Sequence, residues 1–95
     1  MTVTVIVKAP VYEFARRLAP EPRRAVREAL KGLRQESGDI CALEQALTGY
    51  CRLRIGKFRL IFRYRDSSTI EAIFLEERSL VYEVFAAQFL AKLKG

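Results

Sequence analysis

The sequence contains no histidine, and cysteine occurs only at Cys41 and Cys51. Histidine is the commonest metal ligand and the usual proton carrier near neutral pH, so its absence disfavours a metal site and histidine-based catalysis. The two cysteines are too far apart for the short pairs that zinc sites and thioredoxin-like motifs use. We therefore expect no metal, no cofactor and two free thiols in the reducing cytoplasm.

Long apolar runs are also missing. No stretch approaches the roughly 18 to 20 apolar residues of a membrane-spanning helix. Residues Met1 to Pro10 read as a short β-prone segment and lack the charged start and apolar run of a signal peptide. A chain of 95 residues can bury one sizeable core but not two, so we expect residues 1–95 to form a single cytoplasmic domain without membrane contact.

Negative charge is in short supply. The chain has 17 lysines and arginines against 11 acidic residues, which gives a formal net charge of +6. Such a balance indicates an acidic partner such as nucleic acid. Because many small basic domains have no such partner, the placement of the charges has to decide.

The spacing of apolar residues predicts the secondary structure. Thr2 to Val7 is rich in β-branched residues and predicts a strand, and helical spacing predicts a short helix over Val11 to Leu18 and a second helix from about Pro22. Ile40 to Thr48 is a connection without an assigned structure. Beyond it, period-2 alternation predicts three strands, Tyr50 to Ile55, Phe58 to Arg65 and Ile70 to Glu77. Helical spacing then predicts a last helix over Leu80 to Leu93, with the apolar stripe Val81, Phe85, Phe89 and Leu93.

The order β-α-α-β-β-β-α predicts an α+β fold. Its sheet should be twisted and mainly antiparallel, with the helices packed on one face and the other face free to bind.

A basic hairpin gives the strongest functional signal. Gly56-Lys57 suits a type II′ turn with glycine at positive φ, and this turn places Ile55 opposite Phe58 and Arg54 opposite Arg59. Six cations and no acidic residue lie between Tyr50 and Arg65. Period 2 sends all of them except the turn's Lys57 to one face, and these are Arg52, Arg54, Arg59, Arg63 and Arg65.

The opposed pair Arg54 and Arg59 works against strand pairing by up to about 1 kcal/mol. A fold does not need such a pair, so binding of a polyanion is its best explanation. The alternative is a solvated sheet face with an accidental excess of arginine.

The next hairpin extends this face. If residues Asp66 to Thr69 close it symmetrically, the register pairs Arg63 with Ala72, Ile61 with Phe74 and Arg59 with Glu76. Arg78 then comes next to the Gly56-Lys57 turn, and Glu76 is expected to hold Arg59 in an ion pair. Tyr82 follows four residues after Arg78 and can project over the same place.

Two motifs resemble those of the RelE/ParE toxin–antitoxin superfamily. The run Leu47-Thr48-Gly49-Tyr50-Cys51-Arg52-Leu53-Arg54-Ile55-Gly56-Lys57-Phe58-Arg59-Leu60-Ile61-Phe62 resembles the central strand pair: leucine and glycine before a basic strand, a short glycine turn, then an aromatic-arginine-aliphatic-aliphatic-aromatic strand. Arg78-Ser79-Leu80-Val81-Tyr82 resembles the end signature, an arginine followed four residues later by tyrosine. The order of elements matches over nearly the whole chain, which implies a RelE-like, microbial-RNase-type fold.

The resemblance implies a toxin that cleaves mRNA in the ribosomal A site, with the RNA 2′-hydroxyl as nucleophile and without metal. By motif, Arg59, Arg78 and Tyr82 take catalytic positions, and Arg52, Arg54 and Lys57 hold the RNA backbone. The predicted face adds Arg63 and Arg65 to the RNA-binding set. A cognate antitoxin is the implied partner, and it would dock along Val11 to Leu18 or on the last helix, where Phe89 and Leu90 cannot both point inward.

The chemistry limits the roles. Guanidinium groups stabilise charge on phosphoryl oxygens, but arginine cannot serve as a general base. Tyr82 is the first choice of base, Lys57 the second, and Glu76 or Glu77 the third. This chain departs from the family pattern in having Glu77 where many members carry histidine, and Arg52 and Arg54 where the ribosome-dependent nucleases carry lysines.

Two other functions stay open. The gyrase-directed branch of the superfamily has the same fold without the nuclease residues. A non-catalytic nucleic-acid-binding module would use the same arginines only to neutralise phosphates.

Overall fold

Most of the predicted helices and strands are present, with shifted bounds for the first and last helices. A computed structural model of the chain describes residues 2–90, including the side chains of residues 2–88. Its elements are β1 (Thr4–Val7), α1 (Ala9–Ala15), α2 (Pro20–Leu33), β2 (Asp39–Ala42), a 3-10 turn (Gln45–Leu47), β3 (Cys51–Ile55), β4 (Phe58–Asp66), β5 (Thr69–Glu77) and α3 (Val81–Phe85), which continues as a π-helical segment (Ala86–Leu90).

One sheet of five strands organises the fold, in the order β1-β5-β4-β3-β2. The β1 strand runs parallel to β5, and the remaining pairs are antiparallel. The predicted α+β class with a mainly antiparallel sheet is therefore confirmed.

The connection between α2 and β3 contains a strand that the sequence did not reveal. Residues Asp39–Ala42 pair with β3 as β2 and form one edge of the sheet. Gly38, just before it, has a φ of 119°, and a Cβ there would lie 2.8 Å from the Leu53 Cδ1 atom. Glycine therefore lets the chain enter the sheet edge close against the core. Four residues are too few for alternation to be recognised.

The main core lies between the sheet and the first two helices. Val11 of α1 and Val26 and Leu33 of α2 are buried against inward side chains of the sheet, among them Leu60 and Phe62. These helical residues recur at the spacing that places them on one side of each helix, so the sequence pattern accounts for this layer.

The last helix packs on the opposite face of the sheet, so the expectation that the helices share one face is wrong. Val81 and Phe85 of α3 are buried in a second cluster with Ile61 and Phe74. Those two residues face away from the main core, and without α3 they would stand exposed among the arginines. The predicted contributions of Phe89 and Leu93 to this helix lie outside the described side chains.

The β3–β4 register is as predicted. Arg54 lies opposite Arg59 and Ile55 opposite Phe58. Gly56 has a φ of 57°, whereas Lys57 does not have a positive φ. This combination fits a type II′ turn and excludes type I′, which needs positive φ at both residues.

The β4–β5 register is right near the turn and wrong farther along. Arg59 lies opposite Glu76 and Ile61 opposite Phe74, but a β-bulge next to Ile73 then shifts the pairing. Arg63 consequently faces Glu71 and not Ala72. A bulge places two residues against one on the partner strand, and alternation in the sequence gives no sign of it.

Candidate functional site

The β3–β4 turn and the end of β5 meet as predicted. The backbone N–H of Arg78 donates to the carbonyl of Lys57 at 2.9 Å, and the N–H of Leu80 donates to the carbonyl of Glu77 at 3.0 Å. The first bond joins the two segments directly, and the second turns the chain toward α3. Arg59 and Arg78 are thus brought to the same end of the sheet.

Arg59 is held by the backbone of the turn. Its Nη1 donates to the carbonyl oxygens of Gly56 and Phe58, both at 2.8 Å. Glu76 lies directly opposite Arg59, but its Oε1 accepts the N–H of Glu77 at 3.0 Å, and the two side chains form no ion pair in the structure. The expected Arg59–Glu76 pair is therefore wrong, because backbone carbonyls bind the guanidinium and a backbone N–H binds the carboxylate. Neutral carbonyls fix the guanidinium without cancelling its charge.

We use the name turn-end cations for Lys57, Arg59 and Arg78. Within residues 2–90, none of them lies within ion-pairing distance of a carboxylate. The Lys57 Nζ lies 5.5 Å from the centroid of the Phe58 ring, which is within cation–π range. Tyr82, in the first turn of α3, is exposed. This end of the face presents positive charge that no carboxylate of the described residues neutralises, and the chain continues from Arg78 into the helix that contains Tyr82.

The two arginines of β3 share one acid from the edge strand. The Arg52 Nη1 lies 3.2 Å from Asp39 Oδ1 and also donates to the Asp39 carbonyl at 3.1 Å. The Arg54 Nη1 lies 4.0 Å from Asp39 Oδ2. One carboxylate therefore binds two cations, and the group of Arg52, Arg54 and Asp39 keeps a net positive charge. The sequence did not predict this role for Asp39, because it depends on the unpredicted strand β2.

Arg63 sits in a different environment at the far end of β4. Its Nε donates to Glu71 Oε1 at 2.8 Å, and the Lys8 Nζ lies 3.4 Å from Glu71 Oε2. The hydrogen bond from Arg63 is the main reason why the pKa of Glu71 is lowered, and the same bond raises the pKa of Arg63. Glu71 is buried while both cations are half-exposed. Neither Lys8 nor Glu71 was singled out from the sequence, and only the unpredicted bulge brings Glu71 to this face.

Arg65 lies apart from both groups. It falls at the register irregularity between Tyr64 and Asp66 and is exposed. Beside it, hydrogen bonds from Ser68 are the largest cause of a lowered pKa for Asp66, and Arg65 makes only the last contribution. The structure thus brings Arg59, Lys57 and Arg78 together, holds Arg52 and Arg54 along the adjacent strand, and places Arg63 and Arg65 farther away.

The chain is similar in fold to solved structures of toxins and of toxin–antitoxin complexes. The chain superposes on the toxin–antitoxin complex RelBE2 from Mycobacterium tuberculosis with a TM-score of 0.71 at 25% identity, covering 82% of this chain and 100% of the other. The archaeal RelE–RelB complex from Pyrococcus horikoshii gives a TM-score of 0.64 at 26% identity, with 82% and 97% covered. By its fold, the chain belongs to the RelE-like toxin superfamily.

A YoeB dimer from Staphylococcus aureus also shares the RelE-like fold, with a TM-score of 0.64 at 18% identity and with 82% of this chain and 99% of the other covered. Comparisons with models of protein families and with curated proteins give no match. In this RelE-like chain, no helix within residues 2–90 is long and apolar enough to span a membrane.

Proposed function

We propose that the chain is the toxin of a type II toxin–antitoxin system and blocks translation by cutting mRNA on the ribosome without a metal. The observation that carries this proposal is the set of turn-end cations without a carboxylate partner, at the end of β5 from which the chain continues into the helix that contains Tyr82. Preorganised guanidinium groups without a carboxylate partner fit a polyanion best. RNA also carries the 2′-hydroxyl, which in such a site can attack the adjacent phosphate of its own backbone.

The reaction needs three contributions from this site. The 2′-oxygen attacks the adjacent phosphorus, the bond to the 5′-oxygen breaks, and the 2′-hydroxyl proton passes to a base. Arg59 and Arg78 stabilise the negative charge that accumulates on the phosphoryl oxygens, because guanidinium groups bind such oxygens in pairs of hydrogen bonds. Tyr82 in its phenolate form takes the proton, and Lys57 as the neutral amine or Glu76 and Glu77 as carboxylates are the other groups able to do so. The 5′-oxygen leaves on the opposite side of the phosphorus and takes a proton from water, and the base releases its proton to solvent.

The strand β3 provides the approach to this site. Arg52 and Arg54 project from the same face as Arg59 and share Asp39, so their guanidiniums are positioned before RNA arrives. Contacts of this kind place the backbone without reading its sequence. In our proposal they hold the mRNA on one side of the cleaved bond, and Arg65 makes a more distant contact.

A cognate antitoxin is the proposed partner. Between α1 and α2, beside the edge strand β1, lies an open groove of about 300 Å³ with Val11 at its apolar base and three arginines on its rim, Arg16, Arg23 and Arg27. Tyr12, 63% exposed, flanks it. An amphipathic segment with acidic residues fits such a groove. The neighbours from M. tuberculosis and P. horikoshii are toxin–antitoxin complexes, which supports this assignment.

Inducible expression in a bacterial host, followed by primer extension on a reporter mRNA, tests the proposed function. Wild type should arrest growth and produce cuts within codons, and Arg59→Ala and Tyr82→Phe should remove the cuts. Tyr64→Phe is the matched control, because it deletes the same hydroxyl on the opposite face. Arrest with intact mRNA would point to gyrase and overturn the nuclease assignment, and absence of arrest would favour a binding module without catalysis.

A further inference from the structure

A second cleft on the arginine-bearing face has no role in the reaction described above. It has a volume of about 450 Å³ and lies between the start of α1, the far end of β4 and β5, and α3. Tyr50, Ile73 and Phe85 form part of its wall, and the Lys8–Glu71–Arg63 cluster supplies its charged groups. A cleft of this size is within the range of small-ligand sites.

The charges in this cleft do not cancel. Glu71 carries one negative charge against the two positive charges of Lys8 and Arg63. The hydrogen bond from Arg63 and the charge of Lys8 lower the pKa of Glu71 although burial acts in the opposite direction, so the carboxylate is ionised and the cluster retains one uncompensated positive charge. A fold that needed only to satisfy Glu71 would be served by one cation. The surplus cation points to an anionic ligand.

The geometry also preorganises the cations. Arg63 binds Glu71 through Nε. The terminal amino groups of the guanidinium take no part in this bond. The side chains of Lys8 and Arg63 are 48% and 50% exposed, whereas that of Glu71 is 6% exposed. The carboxylate therefore anchors both cations from below while their outer sides meet solvent.

Position relates the cleft to the turn end. Arg63 and Arg59 project from the same face of β4 and are four residues apart, which is roughly 13 Å at about 3.3 Å per residue. Because α3 covers Ile61 between these two arginines, a single RNA strand can contact both places by passing beside this helix. A carboxylate ligand or a metabolite would need no such alignment.

We propose that Lys8 and Arg63, positioned by Glu71, form a second phosphate-binding site, which holds a backbone phosphate of the mRNA beyond the segment at the turn end. This inference rests on the proposed function for its substrate, but it concerns binding and not cleavage. Lys8 and Arg63 are binding residues in this account, and Glu71 is a positioning residue.

The test is the salt dependence of RNA binding. A fluorescent single-stranded RNA carrying 2′-O-methyl groups cannot be cleaved, and its affinity is measured by anisotropy over a series of KCl concentrations. Each lost phosphate contact lowers the slope of log affinity against log salt by about 0.7 for single strands. Lys8→Met and Arg63→Gln should each lower the slope by about that amount, and Arg63→Lys should keep it. Arg24→Gln, which removes an exposed charge from α2, should leave the slope unchanged.

Each other outcome has a defined meaning. Unchanged slopes in Lys8→Met and Arg63→Gln, with lowered melting temperatures, would show a purely structural cluster and overturn the proposal. An equal decrease in Arg24→Gln would overturn it as a general charge effect, and so would absence of salt-dependent binding by wild type. Loss of ribosome association alone, with normal binding of free RNA, would replace the mRNA by ribosomal RNA and contradict the proposal.

An Arg59→Gln arm separates this inference from the proposed function. If Arg59→Gln keeps the wild-type slope while the cleft variants lower it, the cleft stands and the turn end fails as the RNA site. Because the RNA is uncleavable, an inactive nuclease would leave the result for the cleft intact.

Discussion

Two arginines on the same face of β4 have contrasting surroundings. Arg59, at the turn end, is held by two backbone carbonyls and keeps its full charge. Arg63, at the cleft end, is bound to the buried carboxylate of Glu71. In the sequence both are simply outward residues of one alternating strand. The contrast indicates that outward arginines of one strand divide into those held by backbone carbonyls and those held by a buried carboxylate.

The bulge next to Ile73 produces this contrast. Without it, Arg63 would face Ala72 and would have no acidic partner across the strand pair. The shifted register replaces Ala72 by Glu71, and the end of β1 adds Lys8 to the same carboxylate. A one-residue irregularity thereby gives Arg63 an ion pair that Arg59 does not have.

The largest effect is expected from Phe85→Ala, which should disturb the surroundings of both Arg59 and Arg63. Phe85 is fully buried, and its ring centroid lies 5.1 Å from that of Tyr50 and 6.0 Å from that of Phe74. Truncation should cost about 3–5 kcal/mol of folding free energy and release the helix that carries Tyr82. Urea unfolding measures the cost, and Tyr12→Ala at an exposed site is the control. A cost below about 1 kcal/mol would contradict this packing role.

Arg59→Ala should lower single-turnover cleavage by about 10²–10³-fold, the usual loss for removing one preorganised donor to a developing oxyanion. Its melting temperature should change little, because its charge takes no part in an ion pair within the described structure. Arg59→Lys keeps the charge and loses the paired hydrogen bonds, so most of the defect should persist. A full rescue by lysine would mean that charge alone matters.

Glu71→Gln should change how stability depends on pH. The pKa of Glu71 is below its ordinary value of 4.5 in the folded chain, so its carboxylate stabilises the fold above that value and the benefit is lost as the pH falls through the lowered pKa. The variant should therefore show a flatter decline in unfolding free energy from about pH 5 to about pH 3. Asp66, whose pKa is also lowered, still contributes, and Asp66→Asn is the matched variant. An unchanged acid limb in Glu71→Gln would exclude the proposed anchoring.

The smallest effect is expected from Tyr64→Phe. The Tyr64 hydroxyl donates to Glu36 Oε1 at 2.5 Å, and this bond is the main cause of a pKa raised to about 12. Because Tyr64 is 42% exposed, its loss should cost only about 0.5–1 kcal/mol. Wild type should lose this contribution as the pH rises from about 10, the pKa of a free tyrosine, to about 12. Absorbance titration of the tyrosines follows it, and cleavage at neutral pH should be normal. A cleavage defect in Tyr64→Phe would indicate a catalytic role for the face opposite Arg59, which contradicts the proposed site.

Periodic elements and the turn were predictable because local residues determine them. The β3–β4 register follows from Gly56-Lys57, and the β4–β5 register near the turn places Arg59 beside the end of β5. The β2 strand, the bulge and the side of the sheet taken by α3 were not predictable. They depend on contacts between distant segments, such as Ile61 and Phe74 with Phe85.

The same limit applied to the candidate site. Arg59, Arg78 and Lys57 could be placed together because one turn and one hairpin define their positions. Asp39, Lys8 and Glu71 were missed because their roles arise only when separate strands meet. Lys8 directly follows β1, but nothing in its neighbourhood indicates a buried acid on another strand.

The most direct test compares Arg59→Ala with Arg63→Ala. For each variant, single-turnover cleavage is measured on mRNA-programmed ribosomes at saturating ribosome concentration, and the melting temperature is recorded. The account predicts that Arg59→Ala loses cleavage and keeps its melting temperature, whereas Arg63→Ala loses thermal stability and cleaves within about tenfold of wild type, a barrier change of about 1.4 kcal/mol. Normal cleavage by Arg59→Ala in a folded protein would contradict the assignment of the turn end as the catalytic site.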